Sequence, residues 1–154
     1  MHELVEPVSF LLGEWEGDGH GLWEGGFDYR DTVTYSTDSD GQRPVIEFRQ
    51  QTYGPEGARS HGEVGYLVAA GGGEYHLTVA EPSGITEVLA GRIDDASGEL
   101  RLFSVEIGHS PTTDRVTAVA RRMRRRGDEL VTEVDIAVDG EALAPHTRAS
   151  LHRV

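Results

Sequence analysis

From residue 13 onward, apolar and polar residues alternate with period two along almost the whole chain, in short runs that clusters of turn residues cut off at fairly regular intervals. Successive side chains of a strand point to opposite faces, so this is the pattern of half-buried β-strands. It predicts strands over 14–22, 29–36, 44–53, 62–69, 74–80, 85–93, 99–107, 114–125, 129–138 and 147–153. Between them lie Asp38 to Gly41, Gly54 to Gly57, Gly71 to Gly73, Glu81 to Gly84, Asp94 to Gly98, Gly127-Asp128 and Asp139-Gly140. Their Gly, Asp, Ser and Pro residues supply turn chemistry. Connections this short favour an up-and-down meander, and a sheet of many short strands hides its edges by closing on itself. The expected fold is therefore all-β, a ten-stranded antiparallel up-and-down β-barrel. Residues 3–12, with Val8, Leu11 and Leu12 at helical spacing beside Phe10, form a short N-terminal helical plug for one barrel end. At 154 residues the chain fits one domain, 1–154, without internal repeat or linker.

The first strand contains GEWEGDGHG, Gly13 to Gly21. Alternation places Gly13, Trp15, Gly17, Gly19 and Gly21 on the inner face and Glu14, Glu16, Asp18 and His20 on the outer one. Each inward glycine costs the strand roughly 0.5 to 1 kcal/mol. Either another backbone packs close or a ligand fills the space; a third reading is that the glycines let a bent strand pass a barrel corner. Barrels wider than eight strands generally enclose a cavity, and a glycine-lined strand enlarges it.

Composition narrows the function. The 27 acids against 14 bases give a net charge of −13, which repels nucleic-acid phosphates and anionic membrane surfaces. There is no cysteine, so disulfides, thiolate metal ligation and cysteine catalysis are excluded, and a reducing cytoplasmic location is expected. The N-terminus lacks a basic n-region and apolar run, and no segment approaches the ~18 apolar residues of a membrane span.

Four segments, in order, carry a family resemblance. LLGEWEGDGHG (11–21) contains a full G-x-W-x-G-x-G signature, and SHGEVGYL (60–67) sets a histidine before a Glu-x-Gly-aromatic pattern. TVAEPSGITEVLAGRI (78–93) contains S/T-G-x-x-E-V-x-x-G, and LAPHTRASLHRV (143–154) ends in P-H-x-x-A-x-L. Across nearly the whole chain these resemble the nitrobindins, haem-binding β-barrels similar to fatty-acid-binding proteins but with ten strands. The resemblance implies a b-type haem (heme b) in the barrel mouth, its ferric iron held by one axial histidine, His146. It further implies binding of nitric oxide and isomerisation of peroxynitrite to nitrate. Neutral imidazole suits iron, and a single protein ligand leaves the sixth position open. His61 corresponds to a histidine on the open side of the haem in some relatives, and Thr32 is a further candidate for a pocket contact. Strict alternation puts His146 on the face of Arg148 and Ser150, opposite Ala149 and Leu151, so an inward His146 requires the register to break near Pro145. GLWEGGFDY (21–29) departs from the family's G-x-Tyr-Pro pattern and is about two residues shorter, altering a loop beside the haem.

Other features carry less. His2, His20, His76, His109 and His152 are expected at the solvent-facing surface. STDSDGQRPVIE (36–47) imitates a calcium loop but lacks the first carboxylate and flanking helices, and reads as a hairpin turn. Alternation spreads the arginines of RRMRRR (121–126) over both faces of a solvated strand, with contact to haem propionates a minor reading. No hydrolase or phosphate-loop motif is present, and no carboxylate dyad or triad is expected. The alternative is a haem-free carrier of a small apolar ligand, like lipocalins and fatty-acid-binding proteins; a haem-based nitric oxide sensor is a third reading.

Overall fold

The computed structural model describes residues 1–113 and 115–154. A nine-residue 3₁₀ helix, Glu3–Leu11, precedes ten strands. They are β1 (Gly13–Gly21), β2 (Asp28–Thr37), β3 (Val45–Tyr53), β4 (Arg59–Gly71), β5 (Glu74–Ala80), β6 (Ile85–Asp94), β7 (Glu99–His109), β8 (Val116–Arg126), β9 (Glu129–Val138) and β10 (Ala144–Arg153). Neighbours are antiparallel, and β1 pairs with both β2 and β10, so the ladder closes in the order β1-β10-β9-β8-β7-β6-β5-β4-β3-β2. The fold expected from alternation is the fold observed. The eighth expected strand, 114–125, begins at Asp114, which lies outside the described residues. β10 starts earlier than expected because Ala144 and Pro145 already pair with Ile136 and Asp135, before a register shift at His146.

The plug follows from residue spacing. A 3₁₀ helix has 3.0 residues per turn, so Val5, Val8 and Leu11 fall on one edge, and all three are buried in the barrel end. Phe10 and Leu12 pack against the same cluster from its margin. Trp15, 1% exposed, donates its indole N–H to the Leu11 carbonyl at 2.8 Å, tying the plug to the first strand. Ile46, Leu89, Leu100, Leu102, Leu130 and Leu151 complete a fully buried floor. The β1–β2, β3–β4, β5–β6, β7–β8 and β9–β10 connections gather at the other end, the mouth. Toward that end β7 and β8 part: their ladder covers Leu100–Phe103 against Ala120–Met123, beyond which the Ser104 hydroxyl accepts the N–H of Val119 at 2.9 Å. Among the described residues, no helix is long and apolar enough to cross a membrane.

The glycines of β1 do face inward as expected. A Cβ on Gly17 would collide with the Ser150 carbonyl of β10, so there a neighbouring backbone fills the space. At Gly19 and Gly21 a Cβ would collide with the rings of Tyr29 and Trp23. Tyr29 is the cross-strand partner of Gly19, so its ring lies over the bare backbone. The room left by the glycines is thus taken by the protein, and two aromatic rings are drawn back toward the wall.

Candidate functional site

A cavity of about 470 Å³ opens at the mouth and reaches down to Leu11 of the plug, within the ~300–1,000 Å³ of small-molecule sites. Its middle is apolar, formed by Val33, Phe48, Leu67, Leu77, Val119 and Ile136. Two chemically unlike walls face each other across it.

The first wall is β1, β10, the start of β2 and the β1–β2 turn. The register shift between Pro145 and Thr147 adds one residue to β10, so His146 and Thr147 both line the cavity while Ala149 and Leu151 stay in the core. This is the break that an inward His146 requires. The His146 carbonyl accepts the N–H of Leu22 at 2.8 Å, and its imidazole stacks on Trp23 with centroids 4.5 Å apart and planes 17° apart. Edge contacts at 6.1 Å continue from Trp23 to Phe27 and from Phe27 to Tyr29. The 21–29 segment thus puts an indole against the imidazole. Burial, and secondarily the charge of His61, lower the His146 pKa below the ordinary histidine value, keeping a ring lone pair free.

The opposite wall is polar. Arg121 of β8 is buried, donating from Nη1 and Nη2 to Glu63 of β4 at 2.8 and 2.9 Å. It also donates from Nε and Nη2 to Glu87 of β6 at 2.8 and 3.0 Å. Burial opposes ionisation of Glu63, but Arg121 and His61 outweigh it and hold the carboxyl at about 2. Burial likewise opposes the charge on Arg121, which Glu63 and Glu87 sustain. Beside this clamp, His61 lies 3.3 Å from Glu63, whose hydrogen bond raises the imidazole pKa against the opposing effect of burial. Glu81 is pushed up to about 7, first by burial, then by a hydrogen bond shared with Glu87 and by the charges of Glu63 and Glu87. Between the two walls, Asp31 of β2 accepts from Thr52 and from Gln50 of β3, the latter at 2.9 Å, yet burial raises it to about 6. The ligand atoms of His61, Glu63 and Glu81 lie within 4.8 Å of one another. Both Glu63 oxygens are already engaged by Arg121, so the guanidinium fills the place of a cation.

His146 and His61 both line the cavity, on opposite walls. Thr32 does not: alternation on β2 turns Asp31 and Val33 inward and leaves Thr32 half-buried on the outer face. The pocket contact expected of it belongs to its neighbours. None of the other five histidines lines the cavity, although His2 and His76 are half-buried rather than exposed. The 36–47 segment is the β2–β3 connection, where Asp40 accepts the N–H of Gln42. The arginine run is a solvated strand at Arg125 and Arg126 but not at Arg121, which is buried between Val119 and Met123. Sequence reasoning named His61 but missed the buried carboxyls and Arg121 around it, yet a signal existed. Asp31, Glu87 and Arg121 each stand at an inward phase between apolar residues, Tyr29 and Val33, Ile85 and Leu89, and Val119 and Met123.

Residues 4–153 match the model of the THAP4-like, heme-binding beta-barrel domain. A protein of Nocardia farcinica named peroxynitrite isomerase is 36% identical over 158 aligned positions, covering 99% of this chain and 92% of that one. Peroxynitrite isomerase 1 of Mycolicibacterium paratuberculosis is also 36% identical, covering 99% and 96%. The crystal structure of Rv2717c from M. tuberculosis superposes with a TM-score of 0.88 at 32% identity, covering 100% of this chain and 99% of that one.

Proposed function

The chain belongs to the THAP4-like, heme-binding β-barrel family, the nitrobindins, and from that premise we propose that it is a single-domain, b-type haem protein that binds nitric oxide and isomerises peroxynitrite to nitrate. The observation that carries the reading is His146, bulged out of β10 into the cavity beside a wall of aromatic rings, with burial lowering its pKa. The donor set fits the group: a neutral imidazole is an iron ligand, and the aromatic rings of Trp23, Phe27 and Tyr29 offer an apolar face to a porphyrin. Bound haem supplies a Lewis-acid iron at which a peroxide oxygen is polarised.

The residues of the chain do the rest. His146 would hold the iron. The Leu22 N–H fixes its backbone and Trp23 fixes the plane of its ring, so the imidazole is set before the cofactor arrives. The apolar middle of the cavity excludes water from the reacting atoms. His61 is the proposed open-side contact, a donor to a bound anion whose charge Glu63 sustains. Because the surface is strongly acidic, local positive groups such as His61 must counter the field that an anionic substrate meets.

Haem titration of the apoprotein tests the reading. Wild type is expected to develop a Soret band with one equivalent of hemin and, so loaded, to speed peroxynitrite decay to nitrate above the rate of free hemin. His146→Ala is expected to lose the axial-ligand signature. A Soret band identical in both, or lipid displacement without any haem spectrum, would return the cavity to the apolar-carrier reading.

A further inference from the structure

The polar wall contains one carboxyl too many for its cations. Arg121 has five N–H donors, and four of its hydrogen bonds go to Glu63 and Glu87, including both made by Nη2. Glu81 Oε1 lies 3.9 Å from that same Nη2, close enough to feel its charge but outside hydrogen-bonding distance. The side chain of Glu81 is only 11% exposed. The titratable and charged groups facing it are His61 and Glu63 from β4, Glu87 from β6 and Arg121 from β8. His61 points its Nε2 at Glu63, so its proton serves that carboxylate. Three nearly buried carboxyls thus share one guanidinium that fully pairs two of them. The third, Glu81, accepts the Ser83 hydroxyl on Oε2 at 3.0 Å but has no cation of its own, and a carboxyl buried beside two carboxylates holds its proton to higher pH than a solvated one.

Position gives this proton a use. In the barrel order, β5 stands diametrically across from β10. Glu81 follows the last residue of β5 and His146 lies near the start of β10, so both sit at the mouth, on facing walls of one cavity. We infer that Glu81 is a proton store facing the open side of the haem site, so that the cavity takes up small weak-acid anions, peroxynitrite among them, together with one proton. The anion half of this rests on the haem reading; the stored proton does not. In the binding step the Glu81 O–H donates to the anion: its proton passes over to an anion of comparable or greater basicity, leaving a carboxylate and a neutral acid, and stays on Glu81 as a hydrogen bond to a weaker base such as fluoride, and no electron is exchanged. His61, its side chain 36% exposed at the rim, connects the cluster to solvent for reloading.

Two measurements test the inference. Infrared spectra across a pH titration are expected to show the carbonyl band of a protonated carboxylic acid that disappears with Glu81 ionisation and is missing in Glu81→Gln. That variant keeps the shape and an oxygen that can still accept the Ser83 hydroxyl, and it removes a carboxyl that has no cation of its own, so folding is expected to persist; Glu81→Ala repeats the test without an amide. Fluoride titration of the ferric holoprotein, corrected for hydroxide competition read from the same spectra, is expected to lose about tenfold in affinity per pH unit above Glu81 ionisation. Glu81→Gln is expected to abolish that slope. Asp31, also raised by burial, contributes a band of its own that both variants keep, so equal corrected slopes in both proteins, or a carboxylic acid band whose shape and amplitude neither substitution changes, would overturn the inference. If no Soret band forms, the haem reading fails, and the infrared band of the apoprotein still decides whether Glu81 holds its proton.

Discussion

The two walls of the cavity are built on opposite physical logic. On the β1–β10 side, side chains are removed at Gly17, Gly19 and Gly21 so that backbone and aromatic rings pack close, and the single imidazole is left uncharged. On the β4–β6–β8 side, charges are added: Glu63, Glu87 and Arg121 are buried as a hydrogen-bonded unit with Glu81 and His61 at its edge. Packing holds the first wall and costs little to perturb locally. The second is held by mutual neutralisation, where each member is tolerable only because the others are present. On the proposed reading, a cofactor that needs one metal donor and a large apolar face would sit on the first wall, and an anion that arrives with a proton would meet the second.

The largest expected effect breaks the charged wall. Arg121→Met leaves Glu63 and Glu87 buried without a cation, a loss on the order of 3–5 kcal/mol, measured as a fall in the urea midpoint. Adding Glu63→Leu and Glu87→Leu is expected to recover most of it, since an apolar replacement of the whole cluster carries no desolvation cost. A single variant as stable as wild type would show that water, not the guanidinium, satisfies these carboxylates. Next comes Gly19→Val on the packed wall. The new side chain pushes the Tyr29 ring out of its place, costing about 1–3 kcal/mol, while also narrowing the cavity. Hemin uptake by this variant is expected to drop even where circular dichroism shows the barrel intact, a split that Arg121→Met does not produce.

The same contrast explains what the sequence disclosed. Period-two alternation is a direct image of the barrel wall, so strand number, the inward face of GEWEGDGHG and closure were all legible. The bulge at His146 was legible as well, because an inward-facing His146 and the apolar Ala149 and Leu151 could not share a face without it. The charged wall was hidden because it defies the rule that made the rest readable. Arg121 sits in a run of arginines whose other members are half-buried or exposed, and its partners lie 58 and 34 residues away on β4 and β6. Only the closed barrel brings them together. Thr32 failed for a simpler reason: a shift of one residue along a strand reverses the face, and Asp31 and Val33 hold the inward positions.

Two finer tests sharpen the comparison. Trp23 is 38% exposed, so Trp23→Ala is expected to leave the unfolding midpoint nearly unchanged. It removes the ring that orients His146, and loss of an aromatic stack of about 1 kcal/mol should speed hemin transfer to apomyoglobin several-fold. Trp23→Phe, which can still stack, is expected to recover part of the difference. Unchanged transfer in Trp23→Ala would mean that the bulge alone fixes the imidazole.

The smallest effect is a pH dependence whose sign differs between two carboxyls of one wall. Glu63, lowered to about 2 from 4.5, contributes stability that is present above its unfolded value and lost as pH falls toward 2. Glu81, raised from 4.5 to about 7, contributes stability that is full below 4.5 and lost as pH rises through 7. Urea unfolding of wild type and Glu81→Gln at about pH 5 and about pH 8 isolates the second contribution, since every other group is common to both. The variant is expected to gain on wild type by on the order of 1 kcal/mol between those two pH values. Stability curves that run parallel would place the Glu81 carboxyl in a solvated environment, and the charged wall would then end at the Arg121 clamp.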